Sequence, residues 1–317
     1  MKTYLAQRLA IAILTLFGMS VVIFALLRLA PGDIVDILFS TAGFVDPAAR
    51  TEIMRELGLD KPIWIQYLDW LRQIFSGDLG KSYRYDLPAW EIIRPLLPVT
   101  VELAALSMIV AVVLGVPTGV ISAVRQDTPL DYVLRVLSLA GLSMPSFWLG
   151  MVIILGLVAW LGWIPPVTYV SPGENLQLHA AQFALPALAV GYRSSALIMR
   201  ITRSALLEVL REDYVRTAWA KGQTGRAVIW RHALKNAMLP VVTVIGIEFA
   251  FLIGGLVVTE QVFNLPGLAR FLVQAILWRD YPIVQNLVML IAIVVILSNL
   301  AVDLLYGVLD PRVRYAG

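Results

Sequence analysis

Long apolar runs alternate with shorter polar stretches along this chain; the runs occupy residues 9–27, 99–124, 133–163, 183–199, 239–259 and 286–305. Each is apolar around most of its circumference, as a helix solvated by lipid must be, and none shows the one-sided stripe of a helix lying on a water-soluble core. At 1.5 Å per residue, about 20 residues cross a hydrocarbon core of about 30 Å, so the pattern predicts about six spans. Run 133–163 is longer than a membrane needs. Within it, Pro145 of Ser143-Met144-Pro145-Ser146-Phe147-Trp148 removes a rung from the hydrogen-bond ladder, which predicts a kink or a broken helix. Trp160, Trp163 and Tyr169 fit an interfacial aromatic belt.

The first run follows Lys2 and Arg8, as the apolar stretch of a secretory leader follows its basic start. It is longer than the roughly 7–15 residues of such a stretch, and Arg28 stands where a cleavage site is neutral, so it reads as a retained first span. Two polar segments stand between runs. Residues 31–98 alternate turn signals (Pro31-Gly32, Gly77-Asp78) with short amphipathic stretches such as 64–75, which predicts a small helical insertion outside the membrane. Residues 200–236 join the fourth and fifth spans. They read as a helix ending near Gly222, a turn, and a second helix from Arg226 through Asn236 to Leu239-Pro240. That second helix carries Ala227, Trp230 and Leu234 on one face and Arg231 and Lys235 on another.

Of the 317 residues 59% are hydrophobic and 15% charged, and the mean hydropathy is +0.79, which excludes both a disordered chain and a soluble enzyme around one buried core. The absence of cysteine removes disulfides and thiolate metal sites. The histidines, His179 and His232, belong to no HExxH pair, so no zinc hydrolase is written here. Gly80-Lys81-Ser82 has the ending of a phosphate-binding loop, but the glycine required five positions earlier is replaced by Phe75. The triplet reads as a turn, and any ATP chemistry belongs to another chain.

The formal charge of +3 gains meaning from its placement. Lys2, Arg8, Arg125, Arg135, the basic cluster from Arg200 to Lys235, and Arg312 and Arg314 all fall on one side. The short loops of the other side hold only Arg270 and Arg279. The positive-inside rule therefore puts both termini in the cytoplasm. On pattern alone, the basic segment 200–236 is either a solvated loop obeying that rule or an elbow presenting an apolar knob and a basic collar to a partner's groove.

Intramembrane charges are costly and usually face a bundle interior or a cavity, which singles out Arg193, Glu248 and, nearer the cytoplasmic end, Asp303. Counted from Arg203 and Pro240, Arg193 and Glu248 lie at depths of about 15 Å and about 12 Å. They either pair between the fourth and fifth spans, or jointly face a cavity where a zwitterionic solute meets both signs, or only fix helix packing. Asn299 and Asp303, four apart, read as interhelical hydrogen-bonding glue. An ion-coupled secondary transporter is the alternative of another class, and the inverted repeat it calls for is not visible. A membrane scaffold without transport sits poorly with Arg193 and Glu248.

The segment Asp213-Tyr214-Val215-Arg216-Thr217-Ala218-Trp219-Ala220-Lys221-Gly222, followed by Arg231-His232-Ala233-Leu234-Lys235-Asn236-Ala237-Met238-Leu239-Pro240, resembles the "EAA" loop of ATP-binding cassette importer permeases. The version is that of the dipeptide, oligopeptide and nickel branch. The likeness extends over nearly the whole chain: Leu29-Ala30-Pro31-Gly32-Asp33, Leu57-Gly58-Leu59-Asp60-Lys61-Pro62, Gln66-Tyr67, Gly77-Asp78-Leu79-Gly80, Ser143 to Trp148, Gly254-Gly255, Glu260 to Leu268, Arg279-Asp280-Tyr281-Pro282 and Asp310-Pro311-Arg312-Val313. Against the general importer pattern, Arg216 takes the place of the first acidic residue and the distance from Gly222 to Pro240 is longer. Both departures are similar to habits of the peptide branch.

The resemblance implies an all-α polytopic permease of the first, B-type kind. Its parts would be an N-terminus and first helix (1–30), a helical extracytoplasmic insertion (31–98), a transmembrane core (99–308) with a coupling loop at 203–240, and a cytoplasmic tail (309–317). It implies a second homologous permease, two ATP-binding cassette ATPases and an extracytoplasmic substrate-binding protein as partners in the cell inner membrane, with surrounding lipid and no nucleic acid. The chain itself would hold no cofactor and no catalytic centre, ATP being bound by the partners. Coupling to the ATPases would fall to Tyr214, Arg216, Thr217, Ala218, Lys221, Gly222, Arg231 and His232, with Gly222 allowing close backbone approach or φ > 0. The resemblance fixes no charge along the translocation path; the candidates there, Arg193 and Glu248 with Ser143 and Pro145 at the break, rest on intramembrane charge and the proline alone. Dipeptides, oligopeptides, glutathione and chelated nickel are the solutes this branch suggests.

Overall fold

A computed structural model of the chain describes residues 2–29, 35, 47–56, 58–166 and 168–309, with side chains for 7–29, 35, 50–56, 58–166 and 168–301. Ala30 to Asp33, Leu57, the side chain of Asp303, and Asp310 to Val313 lie outside the described residues. In chain order the helices are α1 (Lys2–Leu29), α2 (Pro47–Glu56), α3 (Ile63–Phe75), α4 (Ala89–Ile93), α5 (Leu96–Val124), α6 (Pro129–Ser143), α7 (Ser146–Leu161), α8 (Leu176–Val209), α9 (Asp213–Ala220), α10 (Gly225–Ala227), a π-helical turn (Val228–Ala233), α11 (Leu234–Gly255), α12 (Val257–Val262), α13 (Leu268–Leu277) and α14 (Tyr281–Leu309). No strand is present among the described residues beyond one isolated antiparallel bridge, Lys81 to Pro88.

Among the described residues four stretches are long and apolar enough to cross a membrane: Gln7–Leu29, Ala89–Val124, Gly225–Gly255 and Tyr281–Ala301. A fifth is added if α6 and α7 form one broken span. Those two helices meet at an angle of 104° across Met144-Pro145, so the proline ends the run in two pieces as its missing N–H requires. The remaining predicted run, 183–199, lies inside α8, whose 34 residues reach about 50 Å but are less apolar than a lipid-facing span. The reason is its position. α8 packs against α11, α6 and α7, so small and polar residues such as Gly191, Ser194, Ser195, Ala196 and Thr202 are buried against protein, where lipid does not select for bulk.

The described residues form two compact units, one falling within 2–99 and 267–294, the other within 100–266 and 295–309. In the second, α5 and α8 approach through glycines. A Cβ on Gly115 would stand 2.8 Å from the Ser195 carbonyl oxygen, one on Gly119 2.7 Å from that of Met199, and one on Gly191 2.6 Å from that of Ser107. The four-residue spacing of Gly115 and Gly119 is the small-xxx-small pattern that lets two backbones touch. Helix ends are capped locally. Thr128 accepts from Asp131 N ahead of Pro129 at the first position of α6, and Asn175 accepts from Leu178 N at the start of α8. Gly162 closes α7 in the left-handed conformation, φ +61°.

In the other unit α4, α13 and the start of α14 share a core of Ile93, Leu268, Ile283, Val284 and Leu287, with Ile23 and Leu27 of α1 packed on it. Gly80-Lys81-Ser82 is a turn, as read from sequence: Gly80 has φ +72° and its N–H donates to Asp78 Oδ1 at 2.8 Å. The turn is fastened to α14 and its lead-in. Buried Ser82 donates through Oγ to buried Asp280, Tyr83 N donates to the same carboxylate at 3.1 Å, and Asn286 Nδ2 donates to the Leu79 carbonyl at 2.6 Å. Burial pushes the neighbouring Tyr83 hydroxyl up to about 12, so it stays protonated across the physiological range.

Candidate functional site

Residues 200–236, from the end of α8 to the start of α11, are the part of the chain where polar side chains converge around a small core of their own. After α8 the chain turns at Arg211 and Glu212 into the two-turn helix α9. Val215 and Ala218 of α9 are buried against Val228 of the π-helical turn, with Val209 at the end of α8 and Leu210 after it closing the small core. This pairing decides which face is free. Tyr214, Arg216, Thr217, Trp219 and Lys221 are exposed, whereas Ala218 is only 6% exposed and holds the elbow together from inside.

Gly222 ends the helix with φ +76°, and its N–H donates to the Trp219 carbonyl at 2.9 Å. No atom lies within 4 Å of where its Cβ would stand, so the glycine is required here by backbone conformation. At Gly225 a Cβ would come within 3.1 Å of the Trp219 ring, which lies across it.

The second arm departs from the sequence expectation. It does not form a uniform α-helix to Leu239-Pro240; residues 228–233 make a π-helical turn, and α11 then runs through Pro240 into the membrane-crossing stretch. The extra residue in the turn shifts the inward face, so Val228, Ala233, Leu234 and Ala237 are buried while Trp230 is 57% exposed. Trp230 therefore does not share a face with Leu234, and Arg231 is exposed beside it. Ala233, Leu234 and Ala237 pack with Val120 and Ala123 of α5 and with Ala205 and Leu206 of α8, tying the elbow to both helices.

Polar contacts lock the two arms together. Asn236 Nδ2 donates to the Tyr214 hydroxyl at 2.7 Å, which itself faces the His232 carbonyl at 3.5 Å. His232 Nε2 pairs with Gln223 Oε1 at 2.7 Å, so this half-buried ring braces the turn from behind. Arg216 reaches back to Asp213 at 3.4 Å, a weak exposed pair that leaves its charge in solvent. Between the end of α8 and the start of α9, Arg203, Glu208, Arg211, Glu212 and Asp213 line an open groove of about 510 Å³.

An ion pair with a fully buried acid closes one wall of this groove, Arg203 facing the opening and Asp131 behind it. Asp131, fully buried near the start of α6, receives Arg203 Nε at 3.0 Å and Nη2 at 2.8 Å, one bond to each carboxylate oxygen. Ser122 Oγ and Asp127 N complete its shell. The fork geometry holds α5, α6 and α8 in one register six residues before α8 ends. The sequence marks Arg203 only as one of a basic cluster. The available signal was an acid at the third position after a Thr-Pro cap, which marks a helix start but names no partner 72 residues away.

The intramembrane charges are placed differently from a direct pair. Glu248 of α11 accepts from Ser194 Oγ at 2.9 Å, and Arg193 is exposed on the adjoining side of α8 with no ion pair to Glu248. Ser143 and Pro145 lie at the break between α6 and α7, both exposed, with Ser143 Oγ donating to the Leu139 carbonyl. The other histidine, His179, is buried and bridges Glu102 at 2.8 Å and the Val170 carbonyl at 2.9 Å, a link between α5 and the strand-free loop before α8. Among the described residues no cluster of side chains fits a metal ion.

Comparison with known proteins matches residues 115–315 to the family described as binding-protein-dependent transport system inner membrane component, and residues 1–104 to the N-terminal part of such components. The chain is 41% identical to the di/tripeptide transport system permease protein DppB of Pseudomonas aeruginosa, over 99% of both chains. It is 36% identical to the oligopeptide transport system permease protein AppB of Bacillus subtilis, over 99% of this chain and 100% of that one. Among solved structures it resembles a chain of the inward-facing MetNI methionine ABC transporter, with TM-score 0.56 and 19% identity over 69% of this chain and 96% of that one. A chain of an amino acid ABC transporter gives TM-score 0.53 at 16% identity over 68% and 92%.

Proposed function

The chain belongs to the binding-protein-dependent transport system inner membrane component family, and on that premise we propose that it is the membrane-spanning subunit of an ATP-binding cassette importer for di- and oligopeptides. Its partners are a second homologous permease, two ATPase subunits and an extracytoplasmic binding protein. The chain performs no hydrolysis; it converts motion of the ATPases into alternating access. Both termini face the cytoplasm in this reading, which the excess of Lys and Arg in the segments on that side supports.

The observation that carries this reading is the elbow. A two-turn helix with its inner face fixed by Val215 and Ala218 presents Tyr214, Arg216, Thr217 and Lys221 outward, on a base welded to α5 and α8. Such a knob can be pushed without deforming, so displacement at α9 passes to the spans. Gly222 shapes the tip, His232 braces it through Gln223, and Arg231 adds an exposed positive charge.

The absence of cysteine gives a clean test. In the intact complex Thr217→Cys is expected to form a cross-link to a cysteine set in the ATPase surface, at a yield that changes when ATP is bound. A Thr217→Cys side chain that reacts only with soluble reagents in every nucleotide state would remove the reading. Uptake of labelled Ala-Ala in cells lacking their own peptide permeases tests the substrate class.

Arg193, on an exposed side of α8, and the Ser194–Glu248 pair between α8 and α11 supply polar groups among apolar helices, and we assign them, with the Ser143–Pro145 break, to the translocation surface. Because Glu248 is already held by Ser194, Arg193→Glu and Glu248→Arg are each expected to impair uptake, and the double reversal is not expected to restore it. Restored uptake in the double variant would establish a direct pair instead.

A further inference from the structure

Helix α3 belongs to the segment that hydropathy places outside the membrane, yet its contacts tie it to the interior of a span. Tyr67 Oη and Ser20 Oγ of α1 are 2.9 Å apart, the Trp70 ring stacks on Phe24 with centroids 5.9 Å apart, and Arg28 Nε donates to Gln66 Oε1 at 2.9 Å. Phe24, at the centre of these contacts, lies five residues before the end of the apolar stretch Gln7–Leu29, about 8 Å below it at 1.5 Å per residue. Ser20 lies about 13 Å below it.

At 100° per residue α3 divides into three faces. Tyr67, Trp70 and Ile74 point toward α1. Gln66, Asp69 and Gln73 form a polar face that lines a cavity of about 220 Å³ with Arg28, Lys61 and Tyr83, where Lys61 pairs with Asp69 at 2.8 Å. Trp64, Leu68 and Phe75 form a third, apolar face and are 65%, 56% and 86% exposed. Large side chains left open on one stripe need an apolar neighbour. The depth on α1 says which one, because a helix seated about 8 Å below the end of a span borders acyl chains, and amphipathic interfacial helices bury their apolar faces roughly 5–10 Å into the headgroup and acyl boundary.

We propose that α3 is a membrane-inserted interfacial helix whose Trp64–Leu68–Phe75 face is covered by phospholipid acyl chains of the leaflet at the C-terminal end of α1. The insertion between the first two spans is then partly lipid-embedded, with its polar face turned to the cavity beside Arg28. Naming that leaflet the outer one rests on the orientation proposed above; the lipid contact does not.

The test places one nitroxide label at a time on the cysteine-free chain, at Leu68→Cys, Phe75→Cys or Gln73→Cys, in the purified complex reconstituted in phosphatidylethanolamine–phosphatidylglycerol liposomes. Paramagnetic resonance then measures collision with oxygen, which partitions into acyl chains, and with a water-soluble nickel chelate. Labels at 68 and 75 are expected to favour oxygen over the chelate by at least fivefold relative to the label at 73. If they meet the chelate as freely as the label at 73, the face is in water and the proposal fails. If they are closed to both reagents, a protein partner covers the face and the proposal fails equally. Neither reading depends on whether the complex transports peptide.

Discussion

Cutting Arg203 back to alanine is expected to destabilise the folded chain by about 3–5 kcal/mol, the usual cost of removing one partner from a buried ion pair. Asp131 has no exposed surface and would keep only Ser122 and the Asp127 amide as donors. A carboxylate left in that position has lost its counter-charge, and the open groove that Arg203 lines lets water replace the guanidinium only on that side, which sets the loss at the lower end of the range. Arg203→Lys should recover part of the loss, because an ammonium supplies charge but not two parallel donors. The double variant Asp131→Ala, Arg203→Ala should be more stable than Arg203→Ala alone, since it strands no charge. Thermal unfolding of the detergent-purified complex reads all three. Equal stability of Arg203→Ala and the wild type would mean that α5, α6 and α8 are held by packing alone.

Gly222→Val is expected to reduce peptide uptake at least tenfold while leaving the amount of assembled complex unchanged. A β-branched residue at φ +76° costs on the order of 1–3 kcal/mol of local strain, which the exposed turn relieves by unwinding the end of α9. Nothing stands within 4 Å of the new Cβ, so a defect reports on backbone conformation and not on collision. Gly222→Asn, which tolerates the left-handed region, should retain most uptake. Measuring ATPase stimulation by the loaded binding protein alongside uptake locates the fault: stimulation and uptake should fall together if the turn shapes the contact with the ATPases. Normal uptake by the Val variant would remove Gly222 from the coupling role.

The spans solvated by lipid were legible in the sequence because their selection is one-body: every exposed position must be apolar, whatever lies elsewhere. α8 was legible as a helix but not as a centre, since burial against protein permits Gly, Ser, Thr and Ala and so lowers its hydropathy. The elbow's existence and its tip followed from local spacing and from Gly222. Its inner face did not, because the π-helical turn at 228–233 breaks the 3.6-residue period by which Trp230 had been set beside Leu234. Pairings across the chain were out of reach of any local pattern. Arg203 with Asp131 and Ser194 with Glu248 depend on which helices meet and at what rotation, and a one-position change of rotation puts Ser194, not Arg193, against the carboxylate. The depth of α3 was hidden for the same reason, since a stretch with a polar face reads as aqueous until its neighbour is known.

The glycine contacts between α5 and α8 carry a mechanical consequence. Where two helices touch through side chains, rotamers can give way by a fraction of an ångström and absorb a small displacement. Here main chain rests on main chain at Gly115, Gly119 and Gly191, and a carbonyl has no rotamer to offer. A shove delivered at one end of such a joint reaches the other with little slack, as through a rod with no play in its bearing, so any displacement of the elbow that follows α8 passes on to the helices packed against it.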